Sequence, residues 1–120
     1  MVVDDQPDIT ITLKIGLEED GGFDVDAFTD PERALSSFKP DTYHLIILDI
    51  VMPKMDGFLL YEQLKTVDPG VKVCFLTASE MYHEEMREGK YSALENELFI
   101  QKPIPTDDLI RKIKNKINSN

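Results

Sequence analysis

Five side chains suited to chemistry each stand at the end of a short apolar run: Asp4, Asp5, Asp49, Thr77 and Lys102. An acid in that place is either a solvated cap of the run or a group set at the mouth of the core. Carboxylates gathered at one place repel one another, and a hard divalent ion such as Mg²⁺ relieves that repulsion. Because Mg²⁺ keeps several waters, two carboxylates and a backbone carbonyl from the loop after Asp49 would hold it.

Asp49 then has a distinct chemical use. With the ion bound, its carboxylate is free to attack phosphorus and form an aspartyl phosphate. Lys102 would neutralise one phosphoryl oxygen as a point charge, and the Thr77 hydroxyl would donate to another. These residue types therefore predict a magnesium-assisted phosphoryl acceptor.

The elements that must position these groups can be read from the apolar pattern. Five strands are predicted: Met1–Val3, the alternating stretch Phe23–Phe28, Leu45–Leu48, Val71–Leu76 and Leu98–Ile100. Five helices are predicted between and after them: Ile9 to before Gly21, Pro31 to before Lys39, Asp56 to about Asp68, one within Glu80–Leu94, and one from Pro105 through Ile117. Asp30 and Pro31 are a typical N-cap and first helical residue.

Strand and helix alternate five times, which predicts an α/β fold with a parallel sheet covered by helices on both faces. The run Leu45–Leu48 is apolar at every position and fits a central strand. Ligands of such sheets bind outside the carboxyl ends of the strands, near the point where strand order reverses. The five reactive side chains are expected to meet there.

Bulk composition narrows the possible partners and locations. The chain of 120 residues is 42% hydrophobic, which predicts one domain with one core. A formal charge of −10 disfavours direct nucleic-acid binding and favours a cation or a basic protein surface. The single cysteine, Cys74, lies in an apolar run and is expected to be a core residue in a reducing compartment. The absence of a long apolar stretch predicts a cytoplasmic protein with no membrane partner.

Four motifs together indicate a family. Asp4-Asp5, LIILDIVMPKMDG around Asp49, LTAS from Leu76 and FIQKP from Phe99 occur in this order and spacing across nearly the whole chain. The sequence thereby resembles the receiver domain of two-component response regulators, the CheY-like domains. The resemblance implies a (βα)5 flavodoxin-like, doubly wound, three-layer fold over residues 1–120, with no effector domain present.

The resemblance also implies residue roles. Asp49 would accept a phosphoryl group from a histidine kinase or phosphotransfer domain, with Lys102 and Thr77 assisting. Mg²⁺ would be held by Asp5, Asp49 and the backbone carbonyl of Val51, with Asp4 assisting. The domain would be a signalling module that catalyses only its own phosphorylation and dephosphorylation.

A conformational switch is implied as well. The Thr77 hydroxyl would move toward the phosphoryl group, and the Phe99 ring would turn inward. The face built from the fourth helix, fifth strand and fifth helix would then change its affinity for a downstream effector protein or domain. Phe99 lacks a hydroxyl, so its inward position must rest on packing alone. The Lys102–Pro103 bond is expected to be cis, which costs little before proline.

Three departures from the family pattern stand out. The first strand is short, and residues 79–98 are longer than usual and lack a common Gly-Ala pair. Val51 and Ser79 occupy positions that tune the lifetime of the phosphoryl group, and an apolar Val51 predicts slow self-dephosphorylation because it cannot orient water.

Two other functions are compatible with an acid at position 49. A phosphatase of the haloacid-dehalogenase type also forms an aspartyl phosphate, but it needs a second acid where this chain has Val51. An interaction domain that is never phosphorylated is the other alternative, and the presence of Asp5, Thr77 and Lys102 disfavours it.

Overall fold

A five-stranded sheet in the order β2-β1-β3-β4-β5 organises the computed structural model, which describes residues 1–78 and 97–119. The strands are β1 (Val2–Val3), β2 (Ala27–Phe28), β3 (Ile46–Leu48), β4 (Val73–Thr77) and β5 (Leu98–Gln101). The helices of the described ranges are α1 (Pro7–Glu19), α2 (Pro31–Ser37), α3 (Gly57–Val67) and α4 (Thr106–Asn118). All neighbouring strands are parallel. The predicted flavodoxin-like fold is confirmed.

Helix α4 is the fifth helix of the sequence prediction. The fourth predicted helix, within Glu80–Leu94, lies outside the described residues. None of the helices in the two described ranges is long and apolar enough to cross a lipid bilayer.

The core consists of two layers, one on each face of the sheet. Alternate strand residues point to opposite faces, so Ile46 and Leu48 enter one layer and Ile47 enters the other. Helices α2 and α3 cover the first layer, and α1 and α4 cover the second. Every residue of β3 is buried, as the unbroken apolar run predicts for a central strand.

Strand β2 is shorter than the sequence predicts. The alternating stretch Phe23–Phe28 forms ladder pairs only at its end, where Val2 faces Ala27 and Val3 faces Phe28. Because β2 is an edge strand and its single neighbour β1 has only two residues, the rest of the stretch has no partner strand. The prediction of a six-residue strand was wrong for this reason.

The predicted helix starts at Asp30 and Asp56 are confirmed. The Asp30 carboxylate accepts a hydrogen bond from the Glu32 N–H at 3.0 Å, and the Asp56 carboxylate accepts one from the Leu59 N–H at 2.9 Å. Within α3, Leu60 faces the core and Leu59 is 44% exposed. Each cap fixes where its helix meets the sheet.

Gly57 brings the start of α3 against the strand that carries Asp49. Its N–H donates to the Ile50 carbonyl at 2.8 Å. A Cβ atom added at Gly57 would lie 2.3 Å from the Asp49 carbonyl oxygen and 2.9 Å from Ile50 Cα. Both neighbours are backbone atoms, so only glycine permits this approach.

We expect Gly57→Ala to destabilise the domain by roughly 1–3 kcal/mol, because the new Cβ must push the Asp49 backbone away. Urea denaturation measures the loss. Gly70→Ala is the matched control, since its Cβ would meet only Asp68 Oδ1, at 3.7 Å. Equal stability of the two variants would contradict the argument from close approach.

Candidate functional site

The site begins at the reversal of strand order. In the sheet, β1 lies between β2 and β3. After β1 the chain continues to β2 in one direction across the sheet, and after β3 it continues to β4 in the opposite direction. The Asp49 N–H donates to the Val3 carbonyl at 2.9 Å, and the Asp4 N–H donates to the Phe28 carbonyl at 3.1 Å. The backbone ladder thus continues one residue beyond the strands and fixes Asp4 and Asp49 beside each other.

Three carboxylates meet at this edge. Asp4, Asp5 and Asp49 each offer an oxygen, and these atoms all lie within 4.8 Å of one another. Asp4 and Asp49 are buried, with 2% and 7% of their surface exposed. The three acids whose positions in the sequence predict a common site therefore do converge.

Burial and crowding change the acidity of Asp49. Loss of solvent, followed by repulsion from Asp4, raises its pKa from 3.8 to about 6. The Lys102 ammonium and a backbone hydrogen bond from Val51 act in the opposite direction, and Asp5 adds further repulsion. A nearby cation would favour the ionised carboxylate.

Lys102 is the cation that the described residues place in this cluster. Its Nζ lies 2.7 Å from Asp4 Oδ2 and 3.7 Å from Asp49 Oδ1. Its backbone N–H donates to the Thr77 carbonyl at 2.8 Å, and the Lys102–Pro103 bond is cis, as expected. The ammonium therefore lies closer to Asp4 than to Asp49, and the sequence did not indicate this contact with Asp4.

Thr77 and Phe99 occupy neighbouring strands. Thr77 is the last residue of β4 and is 1% exposed. The Phe99 ring stacks on Phe75, with centroids 4.8 Å apart and planes at 25°, and it lies 6.4 Å from the Phe58 ring. Phe99 is therefore held by aromatic packing, as a residue without a hydroxyl requires.

Val51 extends from the loop after β3 with its side chain largely in solvent. It is 55% exposed and lies two residues beyond Asp49. Its backbone contributes a hydrogen bond to the Asp49 carboxylate. An apolar group on this rim offers no hydrogen bond to a water molecule near Asp49. Ser79, the second position proposed to tune lifetime, lies outside the described residues.

The donor set fits a hard divalent cation. Three carboxylates and one ammonium leave a net charge of about −2 when all four groups are ionised. Buried like charges of this kind require compensation, and carboxylate oxygens are the ligands that Mg²⁺ prefers. The raised pKa of Asp49 indicates that Lys102 alone compensates incompletely.

A cavity of about 570 Å³ lies at the opposite edge of the sheet. Its walls include Met1, Val25 and Leu45, which stand at the amino-terminal ends of β1, β2 and β3. Because the carboxylates are at the other end of these strands, chemistry rather than cavity size identifies the candidate site.

The raised pKa of Asp49 predicts a stability change. Its folded-state value, about 6, exceeds the unfolded value of 3.8, so its contribution to stability is present below pH 4 and is lost as pH rises through 6. Asp49→Asn should therefore stabilise the metal-free protein at pH 7 by about 2–3 kcal/mol and have much less effect at pH 4.

Urea denaturation in EDTA at both pH values measures this difference. Asp56→Asn serves as control, since an asparagine keeps the cap of α3. Saturating Mg²⁺ should stabilise the parent protein and reduce the difference in unfolding free energy between it and Asp49→Asn. A variant no more stable than the parent at pH 7 would contradict the assigned repulsion.

Comparisons with known proteins agree with this geometry. Residues 1–114 match the family model described as the response regulator receiver domain. The chain is 31% identical over 114 residues to the transcriptional regulatory protein PrrA of Mycobacterium tuberculosis, a match that covers 95% of this chain and 47% of PrrA.

Solved structures give the same result. The non-phosphorylated HemR receiver domain of Leptospira biflexa superposes with a TM-score of 0.84 at 27% identity, covering 99% of this chain and 93% of that one. A CheY-like receiver domain protein from Methanospirillum hungatei JF-1 has a TM-score of 0.80 at 27% identity, covering 98% and 90%.

Proposed function

This chain belongs to the response regulator receiver domain family, and on that premise we propose that Asp49 accepts a phosphoryl group from a histidine kinase or phosphotransfer domain. The observation that carries the proposal is the position of Asp49. Its buried carboxylate follows the central strand β3 and has two further carboxylates and an ammonium beside it. The domain would act as a phosphorylation-controlled signalling module rather than as an enzyme with an external substrate.

The transfer step needs an ionised Asp49. One of its carboxylate oxygens forms a bond to phosphorus while the P–N bond of the donor phosphohistidine breaks, and the bonding electrons return to the imidazole nitrogen. The Lys102 ammonium would break or weaken its ion pair with Asp4 and would neutralise a phosphoryl oxygen. The buried Thr77 hydroxyl would donate to another.

Mg²⁺ is the proposed cofactor. Asp5, Asp49 and the backbone carbonyl of Val51 would hold it, with Asp4 assisting. When bound, it would supply positive charge that offsets the carboxylates and the incoming phosphoryl oxygens. Asp4 and Lys102 lie close enough to adjust to that change in charge.

The proposed output is a switch in partner affinity. Thr77 ends β4 and Phe99 lies in β5, so movement of the Thr77 side chain toward the phosphoryl group would alter packing next to the Phe99 ring. The responding face would comprise the fourth predicted helix, β5 and α4. Of these three elements, β5 and α4 lie among the described residues.

The proposed receiver of the signal is an effector domain or protein. The chain spans about half the length of PrrA, whose name describes a transcriptional regulator. Such a partner would bind the face that changes on phosphorylation. The proposed location is the cytoplasm, where a thiol such as Cys74 stays reduced.

Family membership disfavours the haloacid-dehalogenase alternative. That chemistry also requires an acid two residues after the nucleophile, where this chain has the exposed Val51. The interaction domain that is never phosphorylated differs from our proposal in one observable property, which is phosphoryl labelling of Asp49.

We expect a small phosphodonor such as acetyl phosphate to label the protein when Mg²⁺ is present, and EDTA or Asp49→Asn to abolish the label. Intact-protein mass spectrometry at neutral pH measures the added phosphoryl group. Asp56→Asn is the matched control, because it changes a nearby exposed acid, keeps its cap and should be labelled normally. A folded parent protein that takes no label would overturn the proposal.

Once formed, the aspartyl phosphate should be long-lived because Val51 cannot orient an attacking water. Val51→Asn should shorten the lifetime of the aspartyl phosphate about tenfold, because the amide can orient an attacking water. The effect should be smaller than that of a general base, since an amide does not remove the proton of the water. Decay of labelled protein after removal of the donor gives the rate, and Val51→Ile is the apolar control. An unchanged lifetime in Val51→Asn would assign hydrolysis to other groups.

A further inference from the structure

Glu97 makes an unusual set of contacts just before β5. Its Oε2 accepts a hydrogen bond from the Val73 N–H at 2.9 Å, and its Oε1 lies 3.6 Å from Lys65 Nζ. Only 9% of its side chain is exposed. A carboxylate so deeply placed requires compensation, and these contacts provide it.

Tyr61 on α3 completes the cluster. Its hydroxyl donates to the Glu97 carboxylate, and burial together with that neighbour raises the pKa of Tyr61 to about 12. Lys65 Nζ lies 5.5 Å from the Tyr61 ring centroid and also donates to the Val71 carbonyl at 2.6 Å. One carboxylate thereby joins α3 to the starts of both β4 and β5.

The hydrogen bond from the Val73 N–H to Glu97 takes the place of a backbone bond between β4 and β5. Pairing between β4 and β5 begins with Cys74 opposite Leu98, so Val73 has no β5 strand residue opposite it. The Glu97 side chain supplies the acceptor there. This contact fixes how β5 enters the sheet.

Glu97 pairs with Lys65 on α3, and Phe99 packs in the core layer that α3 covers, so both side chains lie on the same side of the sheet. On that face the Tyr61 ring lies 5.4 Å from Phe75, and Phe75 stacks on Phe99 at 4.8 Å. The cluster and Phe99 are thus linked twice, through the β5 backbone and through Phe75.

We propose that Glu97 is a positioning residue for Phe99: by joining Tyr61, Lys65 and Val73, it sets the entry of β5 and keeps the Phe99 ring against Phe75. The regulatory meaning of this role rests on the proposed function, in which Phe99 belongs to the switch. The positioning itself is a property of the unphosphorylated, metal-free protein and can be tested there.

The test is fluorine NMR of protein labelled with 4-fluorophenylalanine, in EDTA and without a phosphodonor. Phe99→Leu identifies the Phe99 resonance by its loss. Glu97→Ala should move that resonance toward the position of the free amino acid, while Phe23, which packs on the other face of the sheet, stays unmoved. Glu97→Gln keeps an acceptor for Val73 and should largely recover the parent spectrum.

Glu62→Gln is the matched control, because Glu62 is an exposed acid next to Tyr61 on α3 and its loss should leave Phe99 unchanged. An unmoved Phe99 resonance in folded Glu97→Ala would overturn the proposal, as would equal shifts at Phe23 and Phe99, which would indicate general loosening.

If Glu97→Ala does not fold, Lys65→Met decides the question, because it removes the ammonium beside the Glu97 carboxylate and adds no fluorinated ring to the labelled protein. A shift of the Phe99 resonance there supports the proposal, and an unchanged one overturns it. Failure of Asp49 labelling would overturn the proposed function without affecting these spectra, so the two failures are distinguishable.

Discussion

Burial of the sheet on both faces is the constraint from which the rest of the structure follows. Helices cover both sides, so polar strand residues of the described ranges are confined to the carboxyl ends, at Thr77 and Gln101. Charge is excluded from the middle of the sheet because desolvating it there would have no compensation. The reactive groups therefore gather at one edge, where the strands end and water can enter.

At that edge, attraction and repulsion are unevenly matched. Lys102 pairs closely with Asp4, yet the pKa of Asp49 remains raised because burial and neighbouring acids outweigh one ammonium. A second cation and an incoming phosphoryl group would each change this balance. The same desolvation that makes the free site unfavourable strengthens its attraction for a cation that enters.

Much of this arrangement could be predicted from the sequence because it depends on local patterns. An unbroken apolar run specified β3, and Asp30 and Asp56 specified helix starts through the chemistry of capping. The length of β2 could not be predicted, since it depends on how many residues its neighbour offers. The proximity of the acids could be predicted, because each follows a strand of a parallel sheet. The ion pair between Lys102 and Asp4 could not, because it depends on the three-dimensional positions of the two side chains.

The contacts of Glu97 were beyond prediction for the same reason. Nothing in its neighbours along the chain distinguishes it from other glutamates, and its partners come from α3 and β4. Gly57 gave a weaker signal: a glycine directly after a capping acid indicates a tight approach, but the sequence does not name the backbone that it approaches.

The ion pair between Asp4 and Lys102 joins residues that are 98 positions apart. Contacts of such long sequence separation form late in folding, because closing the intervening loop has a large entropic cost. During synthesis, Asp4 and Asp49 leave the ribosome well before Lys102, so an emerging chain contains these acids without the ammonium that pairs with them. The complete cluster of acids and ammonium would then form only when strands from both ends of the chain have joined the sheet, so an intact site would indicate a fully folded domain.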